Sequence, residues 1–169
     1  MIAALLTAGP NRYGHSDRTE RHMFPAVSTG PMDPAWSPDG RWLAFSMRGD
    51  IWKVPADGGT AVALTAGPGV YHFEPAWSPD GKRLALSMDI DGNLDIGIVS
   101  AEGGEVQRIT TDRQVDIEPA WSRDGQTLYF VTARAGGFRI FQHNFADNSQ
   151  TAVVQGFQPA ISPDGRWLA

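Results

Sequence analysis

The sequence predicts an all-β fold assembled from repeated four-stranded units, and three observations carry that prediction. The pentapeptide Trp-Ser-Pro-Asp-Gly, or a near copy, begins at Trp36, Trp77, Trp121 and Ile161, at intervals of 41, 44 and 40 residues. Each copy runs into a segment where large apolar residues alternate with small ones, the period of two that marks a strand and not the 3.6 of a helix. No stretch sustains an amphipathic helix, while 19 Gly and 12 Pro supply turns at short intervals. A repeat of about 40 to 45 residues suits a propeller blade of four short strands. The expected architecture is thus a β-propeller segment of about three and a half antiparallel blades, part of a larger propeller of roughly six to eight.

The repeat orders the elements. The first strand of each unit ends in Pro34-Ala35-Trp36, Pro75-Ala76-Trp77, Pro119-Ala120-Trp121 or Pro159-Ala160-Ile161. Next come the turns Asp39-Gly40, Asp80-Gly81, Asp124-Gly125 and Asp164-Gly165, in which Asp bonds local amides and Gly accepts positive φ. The second strand is expected over 42–47, 84–88 and 128–131; its alternating pairs Leu43 and Phe45, Leu84 and Leu86, Leu128 and Phe130 point to burial on both faces. A third strand follows at 51–54, 96–99 and 140–143. After a turn at Asp57-Gly58, Glu102-Gly103 or Asp147-Asn148, the fourth strand ends at Leu64-Thr65 and Ile109-Thr110, and in the third unit runs near 152–154. The chain therefore divides into 1–30, then repeats at 31–72, 73–116 and 117–156, and a partial repeat at 157–169. The first ten residues have two readings. Leu6-Thr7-Ala8-Gly9-Pro10 repeats Leu64-Thr65-Ala66-Gly67-Pro68, which makes 1–7 the last strand of an earlier blade; the alternative is the end of an export signal, here without a basic start.

Composition removes several function classes. A net charge of -5 with pI near 5.2 and no Lys/Arg cluster argues against nucleic-acid binding, which rests on a basic surface. The absence of Cys removes disulfides and thiolate chemistry. No segment approaches the length of a transmembrane helix. There is no Gly-x-Ser-x-Gly elbow, His-Glu-x-x-His helix, His-x-His pair or phosphate-binding Gly loop, and His15, His22, His72 and His143 are scattered. Neither a catalytic set nor a metal-ligand set is expected in this chain. Asp89-x-Asp91-Gly92-Asn93-x-Asp95 resembles a calcium loop, but Gly stands fourth where an EF-hand needs it sixth, and Ser100 takes the place of the twelfth-position Glu. A hairpin turn is the simpler reading.

Residues 34–46 (Pro-Ala-Trp-Ser-Pro-Asp-Gly-Arg-Trp-Leu-Ala-Phe-Ser), and 87–96 running on to an Asp/Glu-Gly-Gly turn, resemble the repeat of the TolB-type propellers, a WD-repeat-like family. The resemblance spans 31–169. It implies a non-catalytic propeller for protein or ligand interaction or substrate access, in a periplasmic or other extracytoplasmic setting. Residues 47–59 and 71–77 look most like propellers that precede a metal-dependent amidohydrolase domain, where a divalent metal would reside outside this chain. The alternatives are a TolB-type protein-binding scaffold and the propeller of a prolyl-oligopeptidase-like serine peptidase. The expected partners are a protein, peptide or small ligand at the channel mouth and the remaining blades.

One constellation stands apart from the turn chemistry. Three residues before each Trp sits a carboxylate, Asp33, Glu74 and Glu118, replaced by Gln158 in the fourth unit. On innermost strands these side chains would ring the mouth of a central channel near His72 and Asp116, and attract cations, amines or a peptide amino terminus. The competing reading is that each bonds backbone amides where its strand begins. The repeated Trp36, Trp77 and Trp121 are expected to fill the contact between blades.

Overall fold

The computed structural model describes residues 30–67 and 69–169. Among the described residues twelve strands form three antiparallel four-stranded sheets, each in simple up-and-down order. The first holds β1 (Met32–Trp36), β2 (Trp42–Met47), β3 (Asp50–Pro55) and β4 (Val62–Ala63). The second holds β5 (Val70–Trp77), β6 (Arg83–Ile90), β7 (Asn93–Ser100) and β8 (Gln107–Arg108). The third holds β9 (Asp116–Trp121), β10 (Thr127–Thr132), β11 (Arg139–Asn144) and β12 (Gln150–Gln155), with a 3-10 turn at Arg134–Gly136. The strands β1, β5 and β9 adjoin one another, so the first strand of each sheet faces the same inner side. The possible blade strand or signal remnant at 1–10, and His15 and His22, lie outside the described residues.

Alternation explains how the sheets stack. Leu84, Leu86 and Met88 of β6 enter one cluster with Ala44, Ile51 and Leu64 of the first sheet. Ala85, between them, faces the other way and joins Ile96, Ile98, Trp121, Leu128 and Phe130. Both faces of β6 are consequently buried, large residues on one side and small on the other, which leaves room for the bulky Trp121 from the third sheet. Each fully buried Leu contributes about 1.5–3 kcal/mol, so stacking is the main source of stability.

The calcium-like segment is a two-residue hairpin. Ile90 pairs with Asn93, and the intervening Asp91 and Gly92 have φ of 53° and 82°. Positive φ at both central residues is the type I′ signature, which Asp-Gly supplies at low cost. Gly92 N–H donates to Asp89 Oδ1 at 2.8 Å, while Asp95 accepts from Asn93 Nδ2 at 2.8 Å and pairs with Arg108.

The fourth strands of the first two sheets are shorter than the apolar pattern implies, for a visible reason. Leu64 N–H and Ile109 N–H still donate to Ile51 and Ile96 carbonyls at 2.7 Å, but the next ladder position is taken by a side chain. Thr65 Oγ1 and Thr110 Oγ1 accept from Ile51 and Ile96 N–H, both at 2.9 Å, and then donate to Asp50 and Asp95. In the third sheet Arg139 stands where Asp50 and Asp95 do and pairs with Gln155, no such side-chain link occurs among the described residues, and β12 runs its full six residues.

After β12 the chain repeats the opening of a unit. Ile161 bridges to Leu168, and Ser162 N–H donates to the Trp167 carbonyl at 2.9 Å, as Ser37 N–H does to Trp42.

Candidate functional site

The repeated Ser-x-Asp-Gly turn is a closed hydrogen-bond unit. In all four copies the Ser hydroxyl (Ser37, Ser78, Ser122, Ser162) donates to Oδ1 of the Asp two residues on at 2.6 Å. It also accepts from the N–H five residues on at 2.9–3.0 Å. Each Asp accepts a further backbone N–H at 3.0–3.1 Å. The serine hydroxyl, foremost, holds Asp39, Asp80 and Asp124 below the usual carboxylate range, and Asp164 is lowered from 3.8 to about 2. These carboxylates are consumed by the turn.

The repeated Trp joins neighbouring sheets. Trp77 Nε1 donates to the Ala35 carbonyl and Trp121 Nε1 to the Ala76 carbonyl, both at 3.0 Å. Each indole thus reaches the residue that precedes the equivalent Trp of the sheet before it. Trp121 is 7% exposed, whereas Trp36 is 60% exposed.

The carboxylates three residues before each Trp converge. Asp33, Glu74, Glu118 and Gln158, each with the proline that follows it, line one cavity of about 330 Å³ on the inner strands. Their convergence depends on an irregularity repeated in every sheet. Ala35 opposes Ala44 while Met32 opposes Ser46, so β1 fits one residue more than β2 across that interval; the same slip occurs between Phe73 and Ala76 and between Ile117 and Ala120. A bulge of this kind turns a strand locally and re-aims a side chain. At the bulges Asp33, Glu74 and Glu118 have positive φ, 51°, 53° and 56°, and Gln158, at the same slot of the repeat, has 52°. Non-glycine residues rarely adopt that region, and a following proline disfavours it further, so each position stores about 1–3 kcal/mol of strain.

The hydrogen bonds show what offsets the strain. Ser46 Oγ donates to Asp33 Oδ2 at 2.8 Å and Ser87 Oγ to Glu74 Oε2 at 2.7 Å. Glu74 Oε2 also accepts the N–H of Glu118 at 3.0 Å, and Glu118 Oε2 accepts the N–H of Gln158 at 2.6 Å. Each Glu therefore ties its strand to the same position one repeat onward. Within the described residues the hydrogen bonds of these three carboxylates use one oxygen each, Asp33 Oδ2, Glu74 Oε2 and Glu118 Oε2. Burial pushes the Glu74 carboxyl above its ordinary range, against the lowering effect of Ser87 and the Glu118 amide.

His72 and Asp116 do not line this cavity. They precede Glu74 and Glu118 by two residues and would share their face in a regular strand, but the bulge breaks the alternation. His72 is buried with Nδ1 3.6 Å from Asp50 Oδ1, and burial holds it below the ordinary imidazole range despite that carboxylate. Asp116 is buried against Arg134, and desolvation raises its carboxyl. Sequence reasoning did not single out Ser46 and Ser87; their signal was a hydroxyl ten residues after Trp36 and Trp77, where the third repeat has Val131. Among the described residues no group of three or more His, Asp or Glu is placed to hold a metal ion, and no helix is long and apolar enough to cross a membrane.

Comparison with known proteins follows the geometry. Residues 32–169 match the family described as the TolB beta propeller domain. The Tol-Pal system protein TolB of Desulfosudis oleivorans is 34% identical over 61 residues, 36% of this chain and 14% of that protein. The crystal structure of TolB from Acinetobacter baumannii superposes with a TM-score of 0.75 at 26% identity, covering 83% of this chain and 37% of that one. A puromycin-hydrolyzing peptidase of Mycobacterium tuberculosis shares the fold, with a TM-score of 0.61 at 20% identity over 84% of this chain and 28% of that one. The chain thus spans well under half the length of each of these three proteins.

Proposed function

The chain belongs to the TolB β-propeller family, and on that premise we propose that it is a non-catalytic interaction module whose inner cavity receives a cationic group of a protein or small ligand. The observation that carries this reading is the convergence of Asp33, Glu74 and Glu118 on one cavity, with the backbone strained to aim them there. Like-signed carboxylates in a concave, partly desolvated site focus a negative potential, which suits an amine, a lysine side chain or a peptide amino terminus. Gln158 at the fourth position lowers the charge while keeping the shape.

At a finer level, the propeller gives substrate access to a catalytic domain of the amidohydrolase type within a larger protein. Support for this is the resemblance of 47–59 and 71–77 to propellers of that context. Any divalent metal would belong to that domain, since among the described residues no three His, Asp or Glu are grouped to hold one. An extracytoplasmic location is part of the same reading and rests on the likeness to TolB.

The test is calorimetric binding of n-butylammonium and a lysine-terminated peptide to the intact protein and its Glu74→Gln/Glu118→Gln variant at low and high salt. The reading predicts binding to the wild type that weakens at high salt and that the double variant loses. Unchanged affinity with a lowered melting temperature would reduce the carboxylates to links between sheets.

A further inference from the structure

A second cavity, of about 270 Å³, lies between the second and third sheets, away from the inner strands. Its wall combines Arg83 of β6, Gln107 and Arg108 of β8, and His143 of β11 with Phe145 and Asn148 of the following turn. In a chain of net charge -5, this cavity gathers two guanidinium groups and carries no carboxylate on its wall.

Their charges are not equivalent. Arg108 pairs with the buried Asp95 and donates from Nε to the Thr110 carbonyl, so its charge is compensated. Among the described residues Arg83 has neither a carboxylate within ion-pair distance nor a side-chain hydrogen bond, and only Asp80 feels its charge at longer range. Its guanidinium is held instead by two rings, 4.9 Å from Trp121 and 5.7 Å from Phe145, which stack on each other at 5.4 Å. His143, only 4% exposed, is fixed edge-on to Phe145 with centroids 4.8 Å apart, and its Nδ1 has no partner. An unpartnered polar atom at such depth is costly unless a ligand satisfies it.

We propose that this cavity binds a small monoanionic carboxylic acid with a short apolar body. One guanidinium without a close ion-pair partner, felt only at longer range by Asp80, selects one negative charge, and held against two rings it is preorganised for the two oxygens of a carboxylate. The His143 imidazole and the side-chain amides of Gln107 and Asn148 add donors, while Phe145, Ile98 and Ile109 accept the apolar body. Burial holds His143 below the ordinary imidazole range, against the raising effect of Asp147. The volume lies at the lower edge of small-molecule pockets, which sets the ligand's size at about that of a single ring. This site shares no residue with the inner cavity and does not depend on the function proposed for it.

The experiment is a fluorine NMR titration of the intact protein with 4-fluorobenzoate, using 4-fluorobenzamide and inorganic phosphate as comparisons. Saturable binding of the benzoate is expected, with no binding of the amide and no competition from phosphate at equal concentration. Arg83→Gln should weaken it about tenfold or more, the loss of one charge-assisted contact. Glu74→Gln/Glu118→Gln should leave it unchanged. Should Arg83→Gln fail to fold, Gln107→Glu on the exposed β8 places a like charge at the cavity and should weaken binding to a similar degree. No saturable benzoate binding, equal binding of the amide, effective phosphate competition, or full affinity in the folded variants would overturn the proposal.

Discussion

Replacing Trp121 tests how the sheets are joined. Trp121 is 7% exposed, stacks on Phe145 at 5.4 Å, lies against Arg83 and donates to the Ala76 carbonyl of the neighbouring sheet at 3.0 Å. Trp121→Ala removes all of these and leaves a cavity among Ala85, Ile98 and Phe130, at a cost of about 3–5 kcal/mol. Trp121→Phe keeps a ring but forfeits the hydrogen bond, about 0.5–1.5 kcal/mol. It also loses about 1 kcal/mol of packing, so the total is about 1.5–2.5 kcal/mol. Trp36 occupies the same slot of the repeat yet is 60% exposed, and Trp36→Ala in the 169-residue chain should cost about 1 kcal/mol or less. Urea unfolding followed by far-UV circular dichroism, compared at constant m, measures all three. Equal losses for Trp36→Ala and Trp121→Ala, or no loss for Trp121→Phe, would refute the role given to the indole.

Further perturbations bear on the same construction. Gly97 in β7 has no room for a methyl: a Cβ there would stand 2.6 Å from Val106 Cγ1 and 2.8 Å from Met88 Sδ, so Gly97→Ala should destabilise by about 1–3 kcal/mol on chemical denaturation, and a neutral result would contradict the packing described. Asp164 has a folded-state pKa of about 2 against 3.8, so its contribution to stability is complete above about pH 4 and disappears as pH falls through 2. Ser162→Ala removes its strongest hydrogen bond, and carboxyl carbon NMR should find the Asp164 pKa risen toward 3.8; an unmoved value would separate the serine from the effect. Glu74 has the opposite sign, because burial raises its carboxyl, and protonation at low pH relieves the fold instead of weakening it.

Much of the fold was legible because its determinants are local. Alternation at Leu84, Leu86 and Leu128, Phe130 marked strands buried on both faces, and Asp91-Gly92 marked its own hairpin. The Asp-Gly turns were equally readable, although the hydroxyl of Ser37 and its equivalents proved as necessary as the carboxylate. The site was legible only as a list. Spacing from each Trp identified Asp33, Glu74 and Glu118 as equivalent, but not the bulge that aims them together, nor the bond from each Glu to the amide one repeat onward. Such links join residues 40 or 44 apart and depend on how the sheets stack. The same bulge separates His72 and Asp116 from their neighbours, against the expectation of a shared rim. The second cavity had no sequence signal, because Arg83, Arg108 and His143 sit on three strands of two sheets and at different slots of the repeat.

The most direct measurement on the inner cavity is a proton–nitrogen correlation spectrum of the intact protein titrated with n-butylammonium chloride at low salt. The amides of Glu118 and Gln158 donate to Glu74 and Glu118, and so report on any cation that engages those carboxylates. Saturable shifts concentrated on these two amides, suppressed by salt, are the predicted result. Shifts spread over exposed acidic turns such as those at Asp39 and Asp57, or none that saturate, would contradict a ligand site there.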